Sequence, residues 1–185
     1  MSLPEPRDPA GPYRISVVCL GNICRSPMAE KVLTAELDRA GLTGTVEVTS
    51  SGTGGWHIGS GMDERAAALL RAQGYATDHT ARRVEPTHLA EHDLILAMDR
   101  DNLENLRRLA RGHTDLGDRL RLFRAFASDT GPEPEVPDPY YGGEHGFATV
   151  LDMVRAAAVG LTTELAARYD SGQDEEYRGG RTHSR

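Results

Sequence analysis

Ile15-Ser16-Val17-Val18-Cys19-Leu20-Gly21-Asn22-Ile23-Cys24-Arg25-Ser26-Pro27-Met28 is the stretch whose reading decides the fold. Ile15–Leu20 is a short apolar, β-branched run that stops at Gly21, the signature of a buried strand. Beyond the turn the spacing becomes helical. Met28, Ala29, Val32, Leu33, Leu37 and Ala40 form one stripe, and Gly41 supplies the stop. The same alternation continues along the chain. Thr45–Ser50 reads as a second strand, and Asp63 can cap an Ala-rich helix that ends at Gly74. Asp93–Met98 reads as a third strand, followed by a helix carrying Leu103, Leu106 and Ala110 and stopping at Gly112. Leu120–Ala125 is the candidate fourth strand, and a closing helix aligns Phe147, Val150, Leu151, Val154, Ala158, Leu161 and Leu165. Strands separated by helices imply βαβ crossovers. The expectation is a three-layer α/β fold, a parallel twisted sheet with helices on both faces, with ligands bound beyond the carboxyl ends of the strands.

The whole chain is consistent with this. It has 185 residues, enough for one domain with a core that needs no disulfide staples. Residues 1–13 are Pro-rich and read as a flexible arm, 14–170 as the domain, and the polar 171–185 as a disordered tail. No stretch approaches the ~20 apolar residues of a bilayer span, and the first residues lack the apolar core of a secretory signal. Twenty-one basic against 28 acidic side chains give a net charge of −7, which argues against broad binding of nucleic acid or anionic membranes while leaving room for a local positive site. The two cysteines, Cys19 and Cys24, read as chemistry rather than framework in a chain expected to reside in the cytoplasm.

Cys19–Ser26 joins strand to helix, so its backbone N–H groups and the helix N-terminus form an anion cradle. Gly21 permits the tight turn. Arg25 offers a planar fork for two phosphate oxygens, and the same positive field stabilises a thiolate at Cys19. Ser26 can donate its hydroxyl to that sulfur, and the Asn22 amide can hold the loop's shape. The plain alternative is a buried cysteine beside an arginine in an ordinary turn. A thiolate below a bound phosphate calls for in-line displacement and a phosphocysteine intermediate. The leaving oxygen departs opposite the sulfur, so a proton donor must come from another segment. Asp138, kept extended by Pro139 and followed by Tyr140 and Tyr141 as aromatic walls, is preferred over Asp129, Glu133 and Glu135 of the same acidic loop.

On Cys19-Leu20-Gly21-Asn22-Ile23-Cys24-Arg25-Ser26-Pro27 and Asp138-Pro139-Tyr140-Tyr141-Gly142, residues 14–170 resemble a low-molecular-weight protein tyrosine phosphatase. The resemblance implies a four-stranded parallel sheet with a phosphate-binding loop after the first strand, no metal and no cofactor. It implies Cys19 as nucleophile, Arg25 as phosphate clamp and Asp138 as acid then base. It further implies Ser50 and His79 as loop support beside Asn22, and Trp56 as a cleft wall with Ile23, Tyr140 and Tyr141. The expected partners are phosphotyrosine proteins, with phosphate, vanadate or another oxyanion in the loop.

Rival readings are testable against the same residues. His88-Leu89-Ala90-Glu91-His92 spells a zinc-peptidase pattern, although one helix turn at a sheet edge accounts for it better. Arsenate reductases of similar loop need a further cysteine for their relay, and none exists here. Arginine phosphatases of the same fold carry Thr where this chain has Ile23, and sugar-transport phosphocysteine carriers have no use for Asp138. Finally, Cys24 lies across the loop from Cys19, so a reversible Cys19–Cys24 disulfide is expected under peroxide, the alternative being that Cys24 only fills space.

Overall fold

A computed structural model describes residues 2–132 and 134–179, with the side chains of Glu144 and of 171–179 excepted. Its strands are β1 (Tyr13–Cys19), β2 (Val46–Gly52), β3 (Leu94–Ala97) and β4 (Leu120–Leu122). Its helices are α1 (Arg25–Arg39), α2 (Glu64–Ala72), α3 (Pro86–Glu91), α4 (Arg100–Ala110) and α5 (Glu144–Gly179). The sheet is parallel throughout, in the order β2-β1-β3-β4.

Strand alternation explains the three layers. Ile15, Val17 and Cys19 share one core with Leu94 and Leu96, under α1 and α5. Val18, Ile95 and Ala97 point the other way, into a second core with Leu89 and Leu106 of α3 and α4. These strands are buried on both faces, which is why Val17–Cys19 and Leu94–Ala97 are apolar without a break.

Helix ends follow the sequence signals. Asp63 caps α2 by accepting from the Arg65 N–H, and Gly41, Gly74 and Gly112 take positive φ beyond α1, α2 and α4. The fourth strand is shorter than the apolar run Leu120–Ala125 suggests. After Leu122 the chain tightens into a 3₁₀ turn, Phe123–Phe126, that buries both phenylalanines against α5. Gly160 of α5 is required there, because a Cβ would fall 1.9 Å from the Phe126 carbonyl oxygen.

The zinc-like motif resolves into structure. His88 lies in α3 and its Nδ1 accepts from the Glu85 N–H, closing a capping box. His92 lies past the helix in extended backbone, so the two rings do not share a helical face. Its Nδ1 bonds the His88 carbonyl at 2.5 Å and therefore carries the proton, leaving Nε2 to accept from the Thr49 hydroxyl at 3.0 Å. Burial lowers the His92 pKa, in keeping with this neutral form.

Residues 2–12, the arm of the sequence reading, run along the amino-terminal edge of the sheet, away from the ends where β1 and β3 release their loops. The Arg7 N–H donates to Asp93, Arg119 reaches the Glu5 carbonyl, and Arg168 reaches the Pro4 carbonyl. Of the expected tail, the backbone of 171–179 continues α5 rather than leaving it, and 180–185 lies outside the described residues. Among the described residues no helix is long and apolar enough to cross a membrane.

Candidate active site

From β1 the chain passes to β2 on one side; it then returns to β3 on the other. The loops after β1 and β3 consequently leave the sheet in opposite directions, opening a crevice between them. Cys19 ends β1, and Asp99 follows β3. Cys19 pairs in register with Gly52, where a Cβ would come within 2.7 Å of the Leu20 carbonyl oxygen. Only glycine lets the first loop turn that tightly over β2.

Asn22 holds this loop. It is the one non-glycine residue with positive φ (56°) among the described residues, a conformation asparagine tolerates. Its backbone N–H donates to Cys19 Sγ at 3.3 Å. Its side-chain Nδ2 donates to Ser26 Oγ at 2.9 Å and to Ser50 Oγ at 3.0 Å. Its Oδ1 accepts from the Arg82 N–H, and its carbonyl from His79 Nε2 at 2.7 Å. A fully buried amide with every group satisfied fixes one loop geometry. Ser50 in turn donates its hydroxyl to Glu30 Oε2 at 2.5 Å. Ser26 Oγ sits 3.0 Å from Cys19 Sγ, with the Ser51 carbonyl as an alternative acceptor at 3.2 Å.

Arg25 opens α1 and is only 2% exposed, so its charge must be paired. Nη1 donates to Asp99 Oδ2 at 2.5 Å and to the Val136 carbonyl at 3.0 Å, while Nη2 donates to Asp138 Oδ2 at 3.1 Å. Burial opposes the Arg25 charge, but Cys19, Asp99 and Asp138 outweigh it and raise the guanidinium pKa. Asp99 also caps α4 through Oδ1 to the Asn102 N–H at 2.7 Å. Asp138 Oδ1 accepts from the Tyr140 N–H at 3.1 Å, the Asx turn its Asp-Pro sequence favours.

Asp63 and Arg65, at the head of α2, join the two loops. The Asp63 N–H donates to the Ile23 carbonyl at 2.8 Å. Arg65 reaches the Tyr140 carbonyl at 3.1 Å and lies 4.6 Å above the Phe147 ring. Its hydrogen bond lowers the Asp63 pKa.

A cavity of about 310 Å³ lies over the crevice, and Cys19, Leu20, Gly21, Ile23, Cys24, Arg25, Trp56, Asp138, Tyr140 and Tyr141 line it. All the residues read as catalytic or phosphate-binding thus meet on one cavity, except Asn22 and Ser26, which lie beneath the loop as supports with Ser50 and His79. Trp56 and Tyr141 stand at its mouth, 75% and 95% exposed, rather than as enclosing walls. Cys24 is a buried free thiol whose pKa is pushed up to about 12, first by burial and then by Asp63, Cys19 and Asp138. Of the rival acids, Glu135 bonds the Arg100 N–H at 2.7 Å, and Glu133 lies outside the described residues.

Sequence reasoning missed Asp99, Arg65, Gly52, Glu30, Arg82 and His57, the last lining the cavity beside Gly21. Asp99 had a signal, since it follows the strand next to β1 and precedes a helix, on the ligand-binding edge of such sheets.

Residues 14–171 match the family described as low molecular weight phosphotyrosine protein phosphatase. A low molecular weight protein-tyrosine-phosphatase of Streptomyces coelicolor is 48% identical over 150 residues, covering 80% of this chain and 91% of its own. Low molecular weight protein-tyrosine phosphatase A of Mycobacterium tuberculosis is 46% identical over 151 residues, covering 81% and 90%. Among solved structures, YfkJ from Bacillus subtilis superposes with a TM-score of 0.79 at 32% identity, covering 87% of this chain and 99% of its own. A protein tyrosine phosphatase from Entamoeba histolytica with Hepes in its active site gives 0.77 at 34%, covering 85% and 99%.

Proposed function

The chain belongs to the low-molecular-weight protein tyrosine phosphatase family, and from that premise we propose how its own residues divide the work. It is a hydrolase that removes phosphate from phosphotyrosine through a phosphocysteine intermediate. The phosphate sits among the N–H groups of the Cys19–Ser26 loop, with two oxygens on the Arg25 fork. The Cys19 thiolate attacks phosphorus in line, forming the S–P bond as the ester P–O bond breaks, and Asp138 gives its proton to the departing phenolate oxygen. In the second half the Asp138 carboxylate takes a proton from water, whose oxygen attacks phosphorus and releases Cys19. The Ser26 hydroxyl, 3.0 Å from the sulfur, steadies the thiolate as it leaves.

The observation that supports this most is Arg25, buried at the base of the Cys19 cavity and hydrogen-bonded to Asp138. It ties the phosphate clamp to the candidate acid across the crevice. The Hepes held by the Entamoeba relative carries a sulfonate, an oxyanion of the kind this loop suits. Residues 14–170 serve as the catalytic domain. The chemistry asks for no metal or cofactor. A thiol that must stay reduced fits a cytoplasmic enzyme acting on phosphotyrosine proteins. The net charge of −7 disfavours nucleic acid or a membrane surface as partner.

The test is a matched set of peptides carrying phosphotyrosine, phosphoserine or phosphoarginine, assayed with a chelator present. Only phosphotyrosine should turn over appreciably. Phosphoarginine cleaved with equal kcat/KM would replace the reading.

Redox control follows from the same two thiols. Peroxide converts Cys19 to a sulfenic acid, and Cys24 attacks that sulfur with loss of water, forming a disulfide that dithiothreitol reverses. With its pKa near 12, Cys24 is a neutral thiol at physiological pH. Closure should therefore quicken about tenfold per pH unit below that value, because only the thiolate attacks. Cys24→Ser should recover less activity than the parent after peroxide and reductant. Equal recovery, with no loss of two hydrogens by mass spectrometry in the parent, would rule the disulfide out.

A further inference from the structure

We propose that Arg83 and Arg108 form a subsite beside the catalytic cleft for an acidic side chain flanking the substrate's phosphotyrosine, an inference that rests on the phosphotyrosine reading above. A cavity of about 450 Å³ adjoins the catalytic one, and Leu20 and Trp56 line both. These two side chains form a partition. Leu20 follows the nucleophile directly in the phosphate loop, so an occupant of the second cavity lies one residue's width from the bound phosphate.

The second cavity has a distinct charge. Arg83, Arg108, Asn105 and Thr53 line it, and no acidic side chain does. Arg83 has no hydrogen-bond or ion-pair partner among the described residues, and its stem runs past Gly55, where a Cβ would lie 3.6 Å from Arg83 Cδ. Arg108 bonds only the neutral Asn105 side chain among the described residues. In a chain of net charge −7, the arginines at the catalytic cleft itself meet carboxylates: Arg25 meets Asp99 and Asp138, and Arg65 meets Asp63. Two uncompensated guanidinium groups in one concavity select an anion.

The anion is a carboxylate of the same phosphoprotein. The phosphotyrosine ring occupies the depth of the cleft, so the peptide backbone crosses its mouth at Trp56, and the neighbouring side chains fall on the partition. Two separated arginines do not form the continuous basic track that a nucleic acid would need. Neither side chain forms a hydrogen bond or ion pair with the loop, Asp138 or their supports among the described residues, and only the Arg83 backbone pairs with Gly52, so the subsite acts on binding and leaves the chemical step alone. Exposed pairs of this kind contribute modestly and are screened by salt. The expected preference for an acidic over a neutral flank is about fivefold in kcat/KM.

The experiment compares phosphotyrosine peptides carrying Asp, Ala or Lys on either side of the phosphotyrosine, with p-nitrophenyl phosphate alongside. In the parent, Asp on one side should exceed Ala by about fivefold, Lys should fall below Ala, and high salt should close the gap. The double variant Arg83→Gln/Arg108→Gln should lose the ranking and keep its rate on p-nitrophenyl phosphate, and Arg83→Glu/Arg108→Glu should invert the ranking. A parent indifferent to flanking charge, or a double variant that keeps the acidic preference, overturns the subsite. If no phosphotyrosine peptide turns over while p-nitrophenyl phosphate does, the substrate reading fails, and the subsite with it.

Discussion

Cys19→Ser should lower turnover of phosphotyrosine by roughly 10⁴–10⁶-fold, the scale on which removing a covalent nucleophile acts, while binding inorganic phosphate at least as well as the parent. The two outcomes separate because they depend on different atoms. Turnover needs the thiolate as nucleophile and as leaving group, and a serine hydroxyl is poor in both roles. Binding needs the loop N–H groups and Arg25, none of which the substitution touches. The Asn22 N–H and the Ser26 hydroxyl that now face Cys19 Sγ at 3.3 and 3.0 Å can face a serine oxygen instead. A smaller negative charge beneath the phosphate also reduces repulsion. Rapid-quench assays and calorimetric titration with phosphate measure the two halves. Appreciable steady-state hydrolysis by the variant would remove Cys19 from the role of nucleophile.

Asp138→Asn should cost about 10²–10⁴-fold on phosphotyrosine, the contribution expected of a positioned general acid. The loss should shrink for aryl phosphates whose phenols are more acidic, since those leave without protonation. Plotting rate against leaving-group acidity should give a steeper line for the variant than for the parent. The fold should persist, because Arg25 keeps Asp99 and the Val136 carbonyl when Asp138 is neutral. Phosphate affinity should rise, since Asp138 and phosphate both draw on Arg25 Nη2. Equal losses across all leaving groups would assign the acid elsewhere.

The sequence made the layers legible because the central strands are buried on both faces, so Val17–Cys19 and Leu94–Ala97 are apolar without a break, with only Ser16 polar between Ile15 and Cys19. It also made legible the helix ends at Gly41, Gly74 and Gly112, where only backbone conformation is at stake. It misled at Leu120–Ala125, because an apolar run has the same appearance in a strand as in a 3₁₀ turn whose phenylalanines fill a core. At the site, Cys19, Arg25 and Asp138 were readable because their chemistry is local to short motifs. Asp99 and Arg65 were not, since their roles exist only through contacts with residues 74 and 75 positions away in the chain. Gly52 escaped for a similar reason: its missing Cβ matters only once β2 lies against the first loop.

The head of α2 has a mechanical consequence. Asp63 grips the Ile23 carbonyl and Arg65 the Tyr140 carbonyl, with Asp63 and Arg65 bonded to each other. One rivet therefore passes through both catalytic loops. A displacement of α2 carries sulfur and carboxyl together as one body, so thermal motion there changes where the pair points far more than how far apart its members stand. An enzyme that must hand a proton to one side of a phosphorus atom while attacking the other is sensitive to that separation, and here it is buffered against the motions of the surrounding fold.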